Sequence, residues 1–243
     1  MNRNFIYQIF YDKLPGSMED IMPIYNRCKI ITCLNPYYMI KLKSDDYSIY
    51  NEFDYIASDG MGPIILNKIF GRPKSVRLSF DMVGIAGPVF QDILMNNESL
   101  YVLGDEPGVA ERAIKMFQNN FVGLRVAGYH HGFINDCKEE VIQDILKSGA
   151  KVVIIGMGAP AQDIMAIQLR EAGFIGTIYT CGGFLHQTQN SIDYYPNWIN
   201  KLGLRWVYRL FTQKGMFKRL IESYPIFVVS YSRFLIKKQK DIG

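Results

Sequence analysis

The sequence predicts an α/β protein: a Rossmann-like parallel sheet of about six strands flanked by helices, with a C-terminal helical appendage rich in basic and aromatic residues. Three observations carry this. Short β-branched runs ending in Gly alternate with amphipathic helical patterns through the middle of the chain. The Gly-rich loops fall after strands and before helices, as βαβ units require. The alternation stops near residue 200, where cations and aromatic residues begin to interleave.

In chain order, "CKIITCLNPYYMIKLKSDD" and "FDYIASDGMGPIILNKIFG" each read as a strand followed by a helix. "SLYVLGD" is a buried strand, and "EPGVAERAIKMFQNN" follows with Val109, Ala113, Ile114, Met116 and Phe117 at roughly helical spacing. "VGLRVAGYHHG" is the next strand, and "KEEVIQDILKSGA" a helix closed by Gly149. "KVVIIGMG", "APAQDIMAIQLREAG" and "GTIYTCGG" complete the series as strand, helix and strand. The tail, residues 201–243, reads as two or three helices interrupted near Gly215 and Pro225, set apart from an α/β unit over residues 1–200.

Composition excludes several classes. A hydrophobic content of 49% against 21% charged residues is that of a globular chain rather than a disordered one. The four cysteines are scattered, with no C-x-x-C pair and no His at ligand spacing, so neither a disulfide framework nor a zinc site is expected and a reducing compartment fits. The N-terminal segment lacks the apolar core of a secretory signal, and no uncharged apolar run reaches the roughly 18 residues that span a bilayer. The reading is cytoplasmic. The net charge of +4 is unevenly placed: the segment from Arg205 to Lys240 holds nine Lys/Arg and one acid, Glu222, whereas residues 1–204 hold 18 basic and 21 acidic side chains. Such a tail suits a lipid interface, rings at headgroup level and cations on anionic lipid; the alternative is a helix packed on the sheet, its rings in the core and its cations solvated. A nucleic-acid role would leave the Gly-rich loops without a purpose, and none is assigned.

In an open α/β sheet, ligands bind beyond the carboxyl ends of the strands. "SDGMG", "LGDEPG", "GMGAPAQD" and "CGGFLHQT" would line that rim, where helix N-termini suit phosphate. No G-x-G-x-x-G or G-x-x-x-x-G-K-[ST] is present, which argues against a dinucleotide enzyme or a P-loop NTPase. No D-x-D is present either, and no metal or cofactor is expected. Asp59 is the carboxylate that follows a strand and precedes Gly60 and Gly62; it suits a general base, or equally a helix N-cap. Gln162 and Asp163 read as residues of a helix's first turn. His130 and His131 lack carboxylate partners in the sequence and read as structural.

In combination the motifs are more specific. "SDGMG", Arg77 in "SVRLSFD", "YVLGDEPGVAERA", "VAGYHHGF", "GMGAPAQD", "CGGF" and "LGLRWVYRL" occur in the order and spacing of one family, and the chain resembles the WecG/TagA/CpsF glycosyltransferases, glycosyltransferase family 26. The resemblance implies an inverting enzyme on the cytoplasmic membrane face. Such an enzyme moves a sugar from a UDP-sugar to an undecaprenyl-diphosphate-linked sugar in capsule, exopolysaccharide, O-antigen or teichoic acid synthesis. It places Asp59 as the base, with Asn35 and Thr32 beside it as catalytic residues. Arg77, Gly156, Gly158, Gln162, Asp163, Gly182, Gly183, His186 and Arg209 become substrate-binding residues, and the tail meets the membrane. His186 stands where the family carries an acid, Asp163 where it carries Glu, and Tyr195 replaces an Ala before Pro196, so the donor pocket is altered: within the hexose or N-acetylhexosamine class, the family's ManNAc-type donors are not assumed and a hexose such as glucose or galactose is expected. A non-catalytic, nucleotide-sugar-binding member is the alternative. A tail completing its own site and one completing a neighbour's in a homo-oligomer look the same in sequence.

Overall fold

The computed structural model describes residues 3–70, 75–192, 199 and 216–242. Among them six strands form one all-parallel sheet: β1 (Cys28–Leu34), β2 (Tyr55–Ser58), β3 (Ser99–Gly104), β4 (Arg125–His130), β5 (Val152–Gly156) and β6 (Gly176–Thr180), in the order β2-β1-β6-β5-β3-β4. The chain moves outward from β1 to β2, crosses to β3 and outward again to β4, then returns through β5 and β6 to fill the centre. The loops after β5 and β6 therefore sit mid-sheet at the carboxyl edge, where an open sheet of this kind takes its ligand.

Both faces of the sheet are covered. Period-two alternation divides the strand residues: Val153 and Ile155 join one core, Val152 and Ile154 the other. On the first face lie α1 (Asn4–Lys13), α6 (Lys138–Lys147), α7 (Ala161–Glu171) and α9 (Met216–Ile242). On the second lie α4 (Ala86–Met95), α5 (Val109–Asn120) and the short α8 (Phe184–Thr188). α2 (Pro36–Lys41) and α3 (Met61–Phe70) follow β1 and β2. Strands β3, β5 and β6 are buried along their whole length, which is why they read as continuous apolar runs; β4 at the sheet edge alternates exposed and half-buried residues.

The tail corrects one expectation. α9 runs unbroken through Pro225. Proline at that position removes a hydrogen bond to the carbonyl four residues earlier. That carbonyl belongs to Ile221, an exposed residue, so water can replace the lost donor. The inner side of α9 is apolar: Phe227, Tyr231, Phe234 and Leu235 are buried, with Tyr7 of α1 edge-on to Phe227 and Tyr231. The second interruption, at Gly215, and the aromatic residues Trp206, Tyr208 and Phe211 lie outside the described residues.

Candidate active site at the carboxyl edge of the sheet

A cavity of about 320 Å³ opens at the strand ends, lined by Asp105 and Glu106 after β3, Gly132 and Phe133 after β4, Gly156, Met157 and Gly158 after β5, and Gly182 and Gly183 after β6. Its size is that of a small-molecule site. The sequence places Gly156, Gly158, Gly182 and Gly183 at the substrate, and all four line this cavity. Two of them have evident reasons to be glycine. A Cβ on Gly156 would approach the Gly182 carbonyl to 2.9 Å, closing the seam between the two loops. Gly158 has φ +73°, in the left-handed region that glycine occupies at no steric cost. Gln162 is buried behind the cavity and binds the two loops together: its Oε1 accepts from the Gly182 N–H at 3.2 Å.

Asp105, in the loop "LGDEPG", belongs to none of the residues the sequence points to as catalytic or substrate-binding. It has φ +61°, unusual for a side chain other than glycine. Its backbone is fixed on both sides, the N–H donating to the Gly156 carbonyl and the C=O accepting from the Gly132 N–H. The carboxylate accepts from the Glu106 N–H at 2.8 Å and lies 3.7 Å from Nδ1 of His186, which is exposed at the cavity mouth. Its signal was its place: directly after the Gly that ends β3.

The base candidate stands at the other end of the same edge. Asp59 follows β2, and its N–H donates to the Leu34 carbonyl at 2.9 Å, so the ends of β1 and β2 are joined there. Ser58 pairs with Arg77 in an isolated bridge, which brings the Arg77 backbone alongside. The guanidinium donates to Ser79 Oγ at 3.0 Å and sits 3.9 Å from Asp81. Asn35 caps α2, its Oδ1 accepting from the Tyr38 N–H at 2.8 Å, with Pro36 in the first helical position. Beneath them, burial and the nearby Asp59 charge push the Cys33 thiol well up, so it stays protonated. From β2 to β5 is three strand spacings, roughly 14 Å.

Thr32 and Asp163 lie beneath the rim, not on it. Both are fully buried. Thr32 Oγ1 donates to Asp163 Oδ1 at 2.9 Å and shares a 2.7 Å hydrogen bond with Thr180; Tyr50 donates to Asp163 Oδ2 at 2.9 Å. These two residues, expected at the substrate, join β1, β6 and α7 from within. Arg209 lies outside the described residues. Among the described residues no group of three or more His, Cys, Asp or Glu is placed to hold a metal ion.

An open parallel sheet with its cavity at the carboxyl edge, lined by glycine loops on three of its four strands, is the arrangement in which α/β proteins take small-molecule ligands. The chain belongs to the Glycosyl transferase WecG/TagA/CpsF family, whose model matches residues 6–241. It is 31% identical over 83% of its length to a UDP-Gal:alpha-D-GlcNAc-diphosphoundecaprenol beta-1,4-galactosyltransferase of Shigella boydii, covering 85% of that protein. It is 26% identical over 79% of its length to an N-acetylglucosaminyldiphosphoundecaprenol N-acetyl-beta-D-mannosaminyltransferase of Staphylococcus aureus, covering 75% of it. A protein of the same description from Bacillus subtilis is 21% identical over 87% of this chain, with 80% of its own length covered.

Proposed function

We propose that the protein is an inverting glycosyltransferase that moves a hexose or N-acetylhexosamine from a UDP-sugar to an undecaprenyl-diphosphate-linked sugar, in the synthesis of a cell-surface polysaccharide. The observation that carries the reading is the division of the carboxyl edge: an open cavity at β3–β6 and a half-exposed carboxylate, Asp59, at β2.

Chemistry assigns the two ends. Asp105 and Glu106 on the cavity wall suit hydroxyl groups and repel phosphate, so the cavity takes the nucleoside, its ribose hydroxyls donating to Asp105. The diphosphate then runs along the glycine loops toward Arg77, which brings the anomeric carbon to the β1–β2 end. There Asp59 removes the proton of the acceptor hydroxyl as its oxygen forms the new bond to the anomeric carbon. The bond to the UDP oxygen breaks on the opposite face, the electron pair leaves with UDP, and the configuration inverts. Backbone dipoles and Arg77 stabilise the leaving diphosphate without a metal ion. A hexose donor, galactose foremost, is favoured by the likeness to the Shigella boydii protein, whose name states UDP-Gal. The basic outer side of α9 holds the protein to the cytoplasmic face of the membrane, where a lipid-linked acceptor is found.

The test is transfer from a panel of UDP-sugars to a short-chain lipid-diphosphate sugar, with and without EDTA. The expected result is transfer from one UDP-hexose, insensitive to EDTA. In the Asp59→Asn protein, turnover falls by about 10²–10⁴ while UDP binding is retained. Unchanged turnover in that variant removes Asp59 from the role of base; UDP binding with no turnover of any donor identifies a non-catalytic member.

A further inference from the structure

Eight of the sixteen exposed large hydrophobic side chains among the described residues lie on two helices, α3 and α9. On α3 they form a single stripe: Met61, Ile65 and Ile69, at i, i+4 and i+8, are 51%, 47% and 63% exposed. The opposite side of α3, with Ile64 and Asn67, is buried. On α9 the outer stripe follows Ile221, Pro225, Val229 and Ile236, and the inner side packs against the body. The two helices touch directly, Tyr231 of α9 donating to Asn67 Oδ1 of α3 at 2.9 Å in a buried hydrogen bond.

Charge decides what such a surface meets. Lys68 on α3 and Lys218, Arg233, Lys237 and Lys240 on α9 are all exposed. Of the acids of α9, Glu222 is engaged by Lys218 and Lys41 at 3.8 and 3.9 Å. Aliphatic stripes with cations at their flanks fit the interface of an anionic bilayer. A second copy of this chain would bring cations against cations.

We infer that α3 joins α9 in one docking face for an anionic lipid bilayer, so that the catalytic body, and not the tail alone, lies on the membrane. α3 starts two residues after Asp59, and its stripe extends for about 12 Å from the rim. The consequence for catalysis rests on the glycosyltransferase reading above: the membrane plane then meets the β1–β2 end of the site, where the head of a lipid-linked acceptor emerges. The lipid contact itself does not depend on that reading.

The experiment is co-sedimentation of the full chain with vesicles of phosphatidylglycerol and phosphatidylcholine, compared with phosphatidylcholine alone. Three variants are measured beside it: Ile65→Ser/Ile69→Ser on α3, Lys237→Glu/Lys240→Glu on α9, and Val122→Ser, an exposed residue next to β4, as control. All substituted side chains are at the surface, and circular dichroism with a melting curve verifies folding. The α3 variant is expected to lose roughly tenfold or more in partitioning to anionic vesicles. Val122→Ser binds as wild type. Transfer by the α3 variant to a short-chain water-soluble acceptor is unchanged, while transfer to an acceptor embedded in vesicles falls. If the α3 variant partitions like wild type while the α9 variant does not, the inference is overturned and the tail's membrane role stands. If the wild-type chain ignores anionic vesicles, both fail. Loss of transfer to the water-soluble acceptor in the α3 variant would assign the stripe to the acceptor's own chain and overturn the bilayer assignment. Absence of transfer by every protein would defeat the enzymatic reading, and vesicle binding would still decide the docking face.

Discussion

Asp163 shows how a charge is held inside this protein. Its partners are hydroxyls, Thr32 and Tyr50 donating to its two oxygens, and burial is the largest influence on it, pushing its carboxyl up to about 6 against the smaller lowering by Tyr50, Thr32 and Thr180. The folded value is thus above the ordinary carboxylate value of 3.8, and the folded protein holds this proton more tightly than the unfolded chain. The associated stability is complete below about pH 4 and is lost as pH rises to about 6, on the order of 3 kcal/mol in total. Asp163→Asn removes the titration. In urea unfolding at pH 4 and pH 7, the variant should gain on wild type by that amount between the two; a constant gap would mean that another group titrates. None of this was legible locally, because Thr32 and Tyr50 stand 131 and 113 residues away in sequence. What the sequence showed was an acid in a helix's first turn, which the structure retains while turning the carboxylate inward.

Among the elements, the strands and helices of the alternating middle were legible because their periods are clean: five buried residues in β5, a strongly one-sided α5. α4 was not, since "AGPVFQDILM" opens with Gly87 and Pro88, residues that read as a turn although proline is tolerated in a first helical turn. α1 has a buried side of Ile6, Tyr7, Ile9 and Phe10, but it stands apart from the strand–helix alternation that marks the other elements. The union of α3 and α9 depends on tertiary contact alone. It contains a weak point: Asn67 is fully buried, its Nδ2 has no hydrogen-bond partner among the described residues, and its Oδ1 is satisfied by Tyr231. Tyr231→Phe would leave both ends of that amide unpaired, at a cost of about 1–3 kcal/mol. Adding Asn67→Leu should recover most of the loss, because an apolar pair replaces a polar pair from which one member was removed. Thermal unfolding of the two single variants and the double variant measures this. A double variant no better than Tyr231→Phe would show that the unpaired Asn67 amide is not the source of the loss.

For the whole molecule, the alternation gave the parallel sheet and the carboxyl-edge rule gave the rim, yet the strand order β2-β1-β6-β5-β3-β4 could not be read, since crossover direction is not written in local pattern. That order separates the site residues: Gly156 and Gly182 fall on neighbouring strands β5 and β6, and Asp59 on the far side of β1. The cavity consequently joins four loops that belong to both halves of the crossover, and a ligand that fills it restrains the end of β3 against the end of β6. Binding to the folded state alone raises stability by about 2.7 kcal/mol when ligand reaches a hundred times its dissociation constant. UDP should therefore raise the melting temperature with saturation. If the nucleoside takes the cavity as proposed, uridine should compete for the same site, and inorganic diphosphate alone, with contacts confined to the glycine loops and Arg77, should give the smaller shift. Asp105→Ala should abolish the uridine shift while leaving that of diphosphate. If diphosphate shifts the melting point and uridine does not, the two ends of the donor are reversed, and the carboxylates at the mouth of β3 must then be met by a group other than the ribose.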